Sequence, residues 1–145
     1  MNSSQQPLWK TSSSLEELDH LCRLSFISHL GIYFTRMGNR DLEAEMVIQP
    51  YHLQPMGIVH GGVWAAFAET VASVAANLAL DQNSYYAVGT NLTVNHLKSV
   101  SSGKIVAITS PDHIGLSTQV WSIQIQDENK RVIAVARLTV SNLKK

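Results

Sequence analysis

The sequence has little charge and almost no cysteine. Charged residues make up 15% of the 145 residues, and 11 basic side chains balance 11 acidic ones. A nucleic-acid-binding domain normally carries a basic surface, so this composition argues against that class. The one cysteine, Cys22, cannot form a disulfide within the chain, which is typical of proteins from a reducing compartment.

A leader-type start and an uninterrupted membrane span are also missing. The first residues, MNSSQQP, contain no basic stretch followed by an apolar run, so we expect no signal peptide and a cytoplasmic protein. Residues 62–80 are long enough to cross a bilayer, but Glu69, Thr70, Ser73 and Asn77 interrupt them. We therefore predict a buried core helix and no membrane association.

Two common kinds of hydrolytic motif are absent from the sequence. The six histidines form no H-x-H, H-E-x-x-H or Cys–His cluster, so no metal is predicted. No G-x-S-x-G nucleophile elbow is present either, which argues against a Ser–His hydrolase. Neither a metal site nor a Ser–His hydrolase is therefore predicted, and we expect no cofactor.

What is present is the composition and pattern of one folded domain. Apolar residues make up 45% of the chain, enough for a core. We predict a flexible polar segment over residues 1–12 and one domain over 13–145, which starts with a short helix capped by the S-x-x-E box at Ser14. One long helix is predicted over 62–80. The predicted strands are 30–37, 41–49, 85–96, 103–111, 117–127 and 131–141. Their order indicates an α+β fold.

The long helix has two different faces. At 100° per residue, bulky side chains such as Trp64, Phe67 and Val71 share the face that should pack on a sheet. The opposite face is nearly all Gly, Ala and Ser, and it carries Glu69. No Lys or Arg lies three or four residues from Glu69 to pair with it. This carboxylate is a candidate functional group. The alternative is a side chain that reaches solvent or a distant cation.

A His-Gly-Gly stretch stands at the start of this helix. The amides of Gly61 and Gly62 would lie where backbone N–H groups are unpaired and the helix dipole favours negative charge. Because glycine permits the close approach of an oxygen atom, these amides suit an oxyanion hole for acyl transfer. A tight turn into the helix, without a function, is the simpler alternative.

The run QPMGIVHGGVWAAFAETVAS, residues 54–73, resembles the hotdog-fold acyl-CoA thioesterases. It is most similar to the branch that contains 1,4-dihydroxy-2-naphthoyl-CoA hydrolase and the enterobactin proofreading thioesterase. Further matching stretches are SHLGI at 28–32, DLEAEM at 41–46, VGTNLTVNH at 88–96, SGK at 102–104, HIG at 113–115 and QVW at 119–121. The resemblance implies a hotdog fold, with an antiparallel sheet wrapped around one long helix, and a dimer or a dimer of dimers (a homotetramer).

The resemblance also implies a set of site residues. Glu69 would attack the thioester carbonyl or act as base for a water, while the Gly61 N–H would hold the oxygen that becomes negative. Gln54 would help to orient the thioester or the water, and His60 would contact the region of the substrate carbonyl. Ser73 would steer the carboxylate or the water. The substrate would be an aromatic or medium-chain acyl-CoA, or an acyl-carrier-protein thioester. The implied coenzyme A contacts are Gly89, His96, Leu97, Lys98, Ser99, His113, Ile114, Gly115, Leu116, Ser117 and Thr118.

Two further expectations concern the grip on coenzyme A and the division of the site. Lys98 stands where relatives usually have Arg, and Ser117 stands where they often have Arg. We therefore expect weaker binding of the nucleotide end of coenzyme A. By resemblance, each site is shared between two chains. One chain contributes Gln54, His60 and Gly61, and the other contributes Glu69 and Ser73.

Two other functions of this fold are alternatives, and the residues argue against the first of them. A hotdog hydratase would need an Asp–His pair at the helix start, and no Asp is nearby. A non-catalytic acyl-CoA-binding sensor would keep the pocket but would not need Glu69. The joint presence of Gln54, Glu69 and Ser73 favours the enzyme.

Overall fold

The computed structural model describes residues 6–145 as one antiparallel sheet packed against one long helix. The strands are β1 (Ile32–Met37), β2 (Leu42–Val47), β3 (Tyr85–His96), β4 (Lys104–Ile114), β5 (Thr118–Asp127) and β6 (Val132–Lys144). The helices are α1 (Leu15–Leu21), α2 (Phe26–His29) and α3 (Gly61–Leu78), and a 3-10 helix covers Pro50–His52. The strand order β1-β2-β4-β5-β6-β3 leaves β3 at an edge of the sheet, bonded to β6 alone.

The core lies between α3 and the sheet, as the helical periodicity predicts. Trp64, Phe67 and Val71 are buried on one face of α3, and Leu138 is among the fully buried residues that the strands contribute. Burying each such large side chain stabilises the fold by about 1.5–3 kcal/mol. Helix α3 is therefore held rigidly, and the residues on its other face have fixed positions. None of the helices within residues 6–145 is long and apolar enough to span a membrane.

The observed element boundaries differ from the predictions at several places. Strand β1 starts at Ile32 instead of 30, β2 ends at Val47 instead of 49, and β6 continues to Lys144 instead of ending at 141. Helix α3 starts at Gly61 and ends at Leu78, two residues before the predicted end. Strand β4 does not stop at Pro111 but continues to Ile114, so the predicted break there is wrong. A register shift between Pro111 and His113 carries the strand past the proline, whose missing N–H would otherwise interrupt the ladder.

The chain before α1 also differs from the predicted flexible segment over residues 1–12. The indole ring of Trp9 stacks on Trp121 with ring centroids 6.4 Å apart. Its N–H donates to a backbone carbonyl 2.6 Å away. Residues 8–11 are thus docked on the domain, because one aromatic side chain outweighs the polar composition around it. The prediction for residues 1–5 lies outside the described part of the chain.

Candidate active site

Glu69 reaches the edge of the sheet through a gap that a glycine leaves. Its carboxylate lies directly against Gly89 of β3, and a Cβ atom built on Gly89 would overlap Oε1 of Glu69. The ladder between β3 and β6 shifts register between Gly89 and Asn91, which marks a bulge at this point. Bulges of this kind often occur beside active sites. Among the described residues, no cation forms a salt bridge with Glu69.

The start of α3 holds a second group of predicted residues. His60 is the N-cap residue of α3, and its Nδ1 accepts a hydrogen bond of 2.9 Å from the Gly62 N–H. The Gly62 amide is therefore occupied, and the prediction that both glycine amides are free is wrong for Gly62. The Gly61 N–H has no acceptor within residues 6–145. The His96 ring lies beside Gly61, with Nε2 only 3.1 Å from where a Cβ would stand.

A cavity of about 260 Å³ opens beside this group. It brings together several residues that the sequence assigned to the site, and Ile58, Val59 and Trp64 complete its wall. The predicted residues that line it are Gln54, Gly61, His96, Leu97, Lys98 and Ser99. The Gln54 Oε1 atom accepts the Met56 N–H at 2.7 Å, which leaves the side-chain NH2 of Gln54 as a donor.

The two side-chain acceptors of this group, Gln54 Oε1 and His60 Nδ1, already bind backbone N–H groups, so the groups that it offers to a ligand are donors. Because Nδ1 of His60 accepts from Gly62, the neutral imidazole carries its proton on Nε2. The Gln54 amide, the His60 Nε2–H and the Gly61 N–H can therefore each donate to a substrate oxygen. A set of three donors polarises a carbonyl group and contains no nucleophile.

Glu69 and Ser73 do not line this cavity. Ser73 borders a different, mostly apolar cavity of about 210 Å³ between α1 and α3, together with Leu18, Cys22 and Val74. The five predicted catalytic residues thus fall into two groups within one chain. Gln54, His60 and Gly61 form one group, and Glu69 and Ser73 form the other.

The predicted coenzyme A residues are divided in a similar way. Residues 114–117 line a third cavity, of about 400 Å³, whereas 96–99 line the cavity beside Gly61. Asn142 fixes the segment of residues 114–117 by donating to the carbonyls of Gly115 and Leu116 at 3.0 and 3.1 Å. Lys10 and Lys144 also border the third cavity. No pattern in the sequence indicates either lysine, because only the folded chain brings the N-terminal and C-terminal segments to this cavity.

Metal ligands are a further possibility that the structure tests directly. Within the described residues, no group of three or more His, Cys, Asp or Glu side chains is arranged to hold a metal ion. The site as described offers a carboxylate, three hydrogen-bond donors and a cavity with both polar and apolar walls.

An antiparallel sheet of six strands around one long helix, with a carboxylate at the edge strand, is the architecture of hotdog-fold thioester hydrolases. Comparison with known proteins agrees with this class. The thioesterase superfamily pattern matches residues 56–134. The crystal structure of a thioesterase from Haemophilus influenzae superposes with a TM-score of 0.92 and 41% identity, covering 94% of this chain and 95% of that one. The chain belongs to the thioesterase superfamily.

Two more solved relatives extend the comparison. A variant of a thioesterase from Pseudomonas aeruginosa superposes with a TM-score of 0.93 and 32% identity, covering 95% of this chain and 99% of that one. A thioesterase from Staphylococcus aureus has been solved with alanine in place of a glutamine, with a TM-score of 0.77, 26% identity and coverage of 80% and 96%. The predicted hotdog fold and the predicted enzyme class, thioester hydrolase, are confirmed.

The Staphylococcus aureus protein has also been solved with alanine in place of a glutamate, with a TM-score of 0.79, 26% identity and coverage of 82% and 98%. In that sequence, the substituted glutamine and glutamate are separated by as many residues as Gln54 and Glu69 are here.

Proposed function

We propose that this chain hydrolyses aromatic or medium-chain acyl-CoA thioesters to a free acid and coenzyme A, in a dimer whose two sites are each shared between subunits. One observation carries the proposal: the Glu69 carboxylate reaches the free edge of the sheet at Gly89, while the donor group lies beside the other end of the same strand. The matching separation of Gln54 and Glu69 in a relative supports the choice of these two residues.

The edge strand supplies the reason for a dimer. Strand β3 has 12 residues and pairs with β6 on one side. On its other side the Asn77 side chain pairs with the N–H and C=O of Ala87, and within residues 6–145 no strand covers the rest of this edge. Uncovered edge groups are prone to pair with another strand. Tyr86 and Val88 on β3 are 40% and 38% exposed, so apolar surface accompanies the free edge. Antiparallel pairing of β3 with the partner's β3 about a two-fold axis satisfies these groups.

The same pairing explains the division of the site. Along one strand, Gly89 and His96 are about 23 Å apart at about 3.3 Å per residue, too far to serve one reaction centre. In an antiparallel pair, the partner's His96 runs back toward Gly89. The partner's Gly61 lies against that histidine, so the donor group of one subunit approaches the Glu69 carboxylate of the other. Two complete sites result from one two-fold axis.

The two groups have complementary chemistry. The thioester carbon is the electrophile, and its oxygen becomes negative when a nucleophile attacks. The Gly61 N–H at the start of α3 stabilises that oxygen together with the helix dipole, while Gln54 and His60 add side-chain donors. Glu69 either attacks the carbon, giving an anhydride that water then opens, or takes a proton from the attacking water. The coenzyme A thiolate leaves and is protonated to the free thiol.

The remaining predicted residues have supporting roles. Ser73 is one turn beyond Glu69 on α3 and steers the carboxylate or the water. Lys98 is exposed at the mouth of the cavity beside Gly61, where its ammonium group meets a phosphate of the nucleotide. Residues 113–118 of the other subunit lie at the opposite end of β3 and complete the coenzyme A channel.

The direct test is release of free thiol from benzoyl-CoA and from medium-chain acyl-CoA by the wild type and by Glu69→Gln. The substitution keeps the shape and removes the ionised oxygen, so kcat should fall by about a hundredfold or more. A variant with near wild-type kcat would remove Glu69 from the mechanism. A wild type that binds acyl-CoA but turns over no thioester would instead indicate the non-catalytic sensor.

A labelling experiment separates the two roles of Glu69. In a single turnover in ¹⁸O water, attack by water alone puts the label in the product acid. Attack by Glu69 gives an anhydride, and water that opens it at the Glu69 carbonyl carbon leaves ¹⁸O in the protein and an unlabelled acid, which mass spectrometry of the peptide with Glu69 detects. Label in the protein therefore demonstrates the anhydride, whereas label in the acid alone fits direct attack by water or opening of the anhydride at the acyl carbon.

A further inference from the structure

A fully buried histidine lies at the base of the loop that leads to α3. His52 ends the 3-10 helix, and no part of it is exposed to solvent. Its Nδ1 accepts a hydrogen bond of 3.0 Å from the Gln49 N–H, so the neutral ring carries its proton on Nε2. Burial lowers the pKa of the His52 imidazole, and the Leu30 carbonyl offsets this only in part. The ring is therefore neutral at pH 7.

The main chain of His52 closes the loop that carries part of the donor group. Its carbonyl accepts the His60 N–H at 2.9 Å. Leu53 and Val59 form the next bridge inward. Gln54 follows within the loop, and Gly61 comes directly after its last residue. The side chain of His52 is thus anchored in the core. Its backbone holds together the two ends of the loop, next to which Gln54 and Gly61 lie.

The choice of histidine at this position needs an explanation. Its Nε2 is buried, and the Leu30 carbonyl lies near the ring without forming a hydrogen bond of normal geometry with it. A poorly paired buried donor is normally unfavourable, and a leucine would fill the space without one. What the imidazole provides and a leucine does not is an acceptor for the Gln49 N–H at the end of β2. That hydrogen bond closes the turn over residues 49–52 and fixes the ring at the base of the loop. The Ile48 N–H, which donates to the Gly103 carbonyl at 2.9 Å, ties this turn to the residues before β4.

We propose that His52 is a positioning residue for the hydrolytic site, acting through Gln54, His60 and Gly61. Its side chain does not line the cavity beside Gly61, so it acts without touching substrate. The inference rests on the proposed function, because it gives His52 a purpose only if those donors serve the reaction. When donors that stabilise the transition state are displaced by a fraction of an ångström to an ångström, the reaction rate falls steeply.

Three variants test the proposal. His52→Asn keeps an acceptor close to the position of Nδ1, whereas His52→Leu keeps volume and removes the acceptor. Thr109→Val is the matched control: Thr109 is fully buried and loses a hydrogen bond to the Ser122 carbonyl on the sheet, away from the loop. Each variant is assayed with benzoyl-CoA well below its own melting temperature. Amide hydrogen exchange of the peptide that covers residues 53–61 is measured in parallel.

The expected result is a split between kcat and KM. His52→Leu should lower kcat about tenfold with KM changed less than twofold, and it should speed exchange in residues 53–61. His52→Asn should restore most of the rate and the protection. Thr109→Val should lower the melting temperature and leave kcat unchanged. If His52→Leu does not fold, His52→Phe replaces it, since a planar ring without nitrogen also lacks the acceptor.

Several outcomes would overturn the proposal. A His52→Leu enzyme with wild-type kcat shows that the ring does not position the site, and so does a His52→Asn enzyme as slow as His52→Leu. A control that loses kcat as much as His52→Leu shows that general stability is responsible. A wild type that hydrolyses no thioester removes the proposed function and this inference together, whereas an active wild type with an unaffected His52→Leu variant removes only the inference.

Discussion

Gly89→Ala is the substitution that most sharply links the observed geometry to catalysis. The added methyl group would overlap Oε1 of Glu69, so the carboxylate must move by about 1 Å or rotate away. A displacement of that size from the reactive position lowers the rate about a hundredfold, equivalent to about 2.7 kcal/mol of transition-state stabilisation. We therefore expect kcat for benzoyl-CoA to fall to about one hundredth of the wild-type value.

The stability of Gly89→Ala should change little, because two small effects oppose each other. Replacing glycine within a strand gains about 0.5–1 kcal/mol from reduced backbone freedom of the unfolded chain. Forcing the end of one flexible side chain out of its rotamer costs about 0.5–1.5 kcal/mol. The melting temperature should thus stay within a few degrees of the wild type, while the activity falls by orders of magnitude.

The controls for this variant use its neighbours. Val88→Ala shortens the side chain next to Gly89 without approaching Glu69, so the activity of the dimer, checked by light scattering, should stay close to that of the wild type. Adding Gly89→Ala to Glu69→Gln should cost no further activity, since both act through one carboxylate. A Gly89→Ala enzyme with wild-type kcat and KM, shown to be dimeric by light scattering, would refute the placement of Glu69 as the reacting group.

Three further predictions concern the nucleotide end, the N-terminal segment and acid stability. Lys98→Ala should raise KM for acyl-CoA about three- to tenfold but leave hydrolysis of a short thioester without a nucleotide unchanged, and equal effects on both substrates would contradict a phosphate contact. Trp9→Ala should lower the free energy of unfolding by about 2–4 kcal/mol in urea titration, since it removes the ring stacked on Trp121; no change would mean that residues 8–11 are not part of the folded unit. The hydrogen bond from Arg131 holds the pKa of Asp127 below its usual value, so Asp127→Asn should lower the melting temperature at pH 7. The difference in melting temperature from the wild type should shrink as the pH falls through the acidic range below the ordinary carboxyl pKa. A difference that does not depend on pH would contradict this.

The central helix and the role of its two faces could be predicted because the signal is local. Periodicity alone separates Trp64, Phe67 and Val71 from the small face with Glu69, and all three bulky residues are buried. Glu69 stands out for the same reason, since no cation is near it in sequence. What periodicity cannot indicate is the element that the small face meets. The contact between Glu69 and Gly89 joins residues from α3 and β3, and only the folded chain reveals it.

The elements that were mispredicted show where a local rule meets a tertiary contact. Proline is a reliable strand terminator by its missing N–H, but a bulge between Pro111 and His113 accommodates it within β4. Polar composition predicts a flexible start, but Trp9 finds Trp121 far along the chain. His52 carried no signal, because neither its burial nor the Gln49 N–H that it accepts belongs to a recognisable pattern.

The measurement that tests the central claim most directly is complementation between two inactive chains. Gln54→Ala and Glu69→Ala are first measured alone, and each must be severely impaired. The two are then unfolded together and refolded, and mass analysis confirms mixed dimers. In a mixed dimer of the proposed arrangement, one site holds both intact residues and the other holds neither. Random pairing makes about half of the dimers mixed, so the account predicts recovery of about a quarter of wild-type activity. A mixture that contains mixed dimers and remains inactive would place each site within a single chain and contradict the shared site.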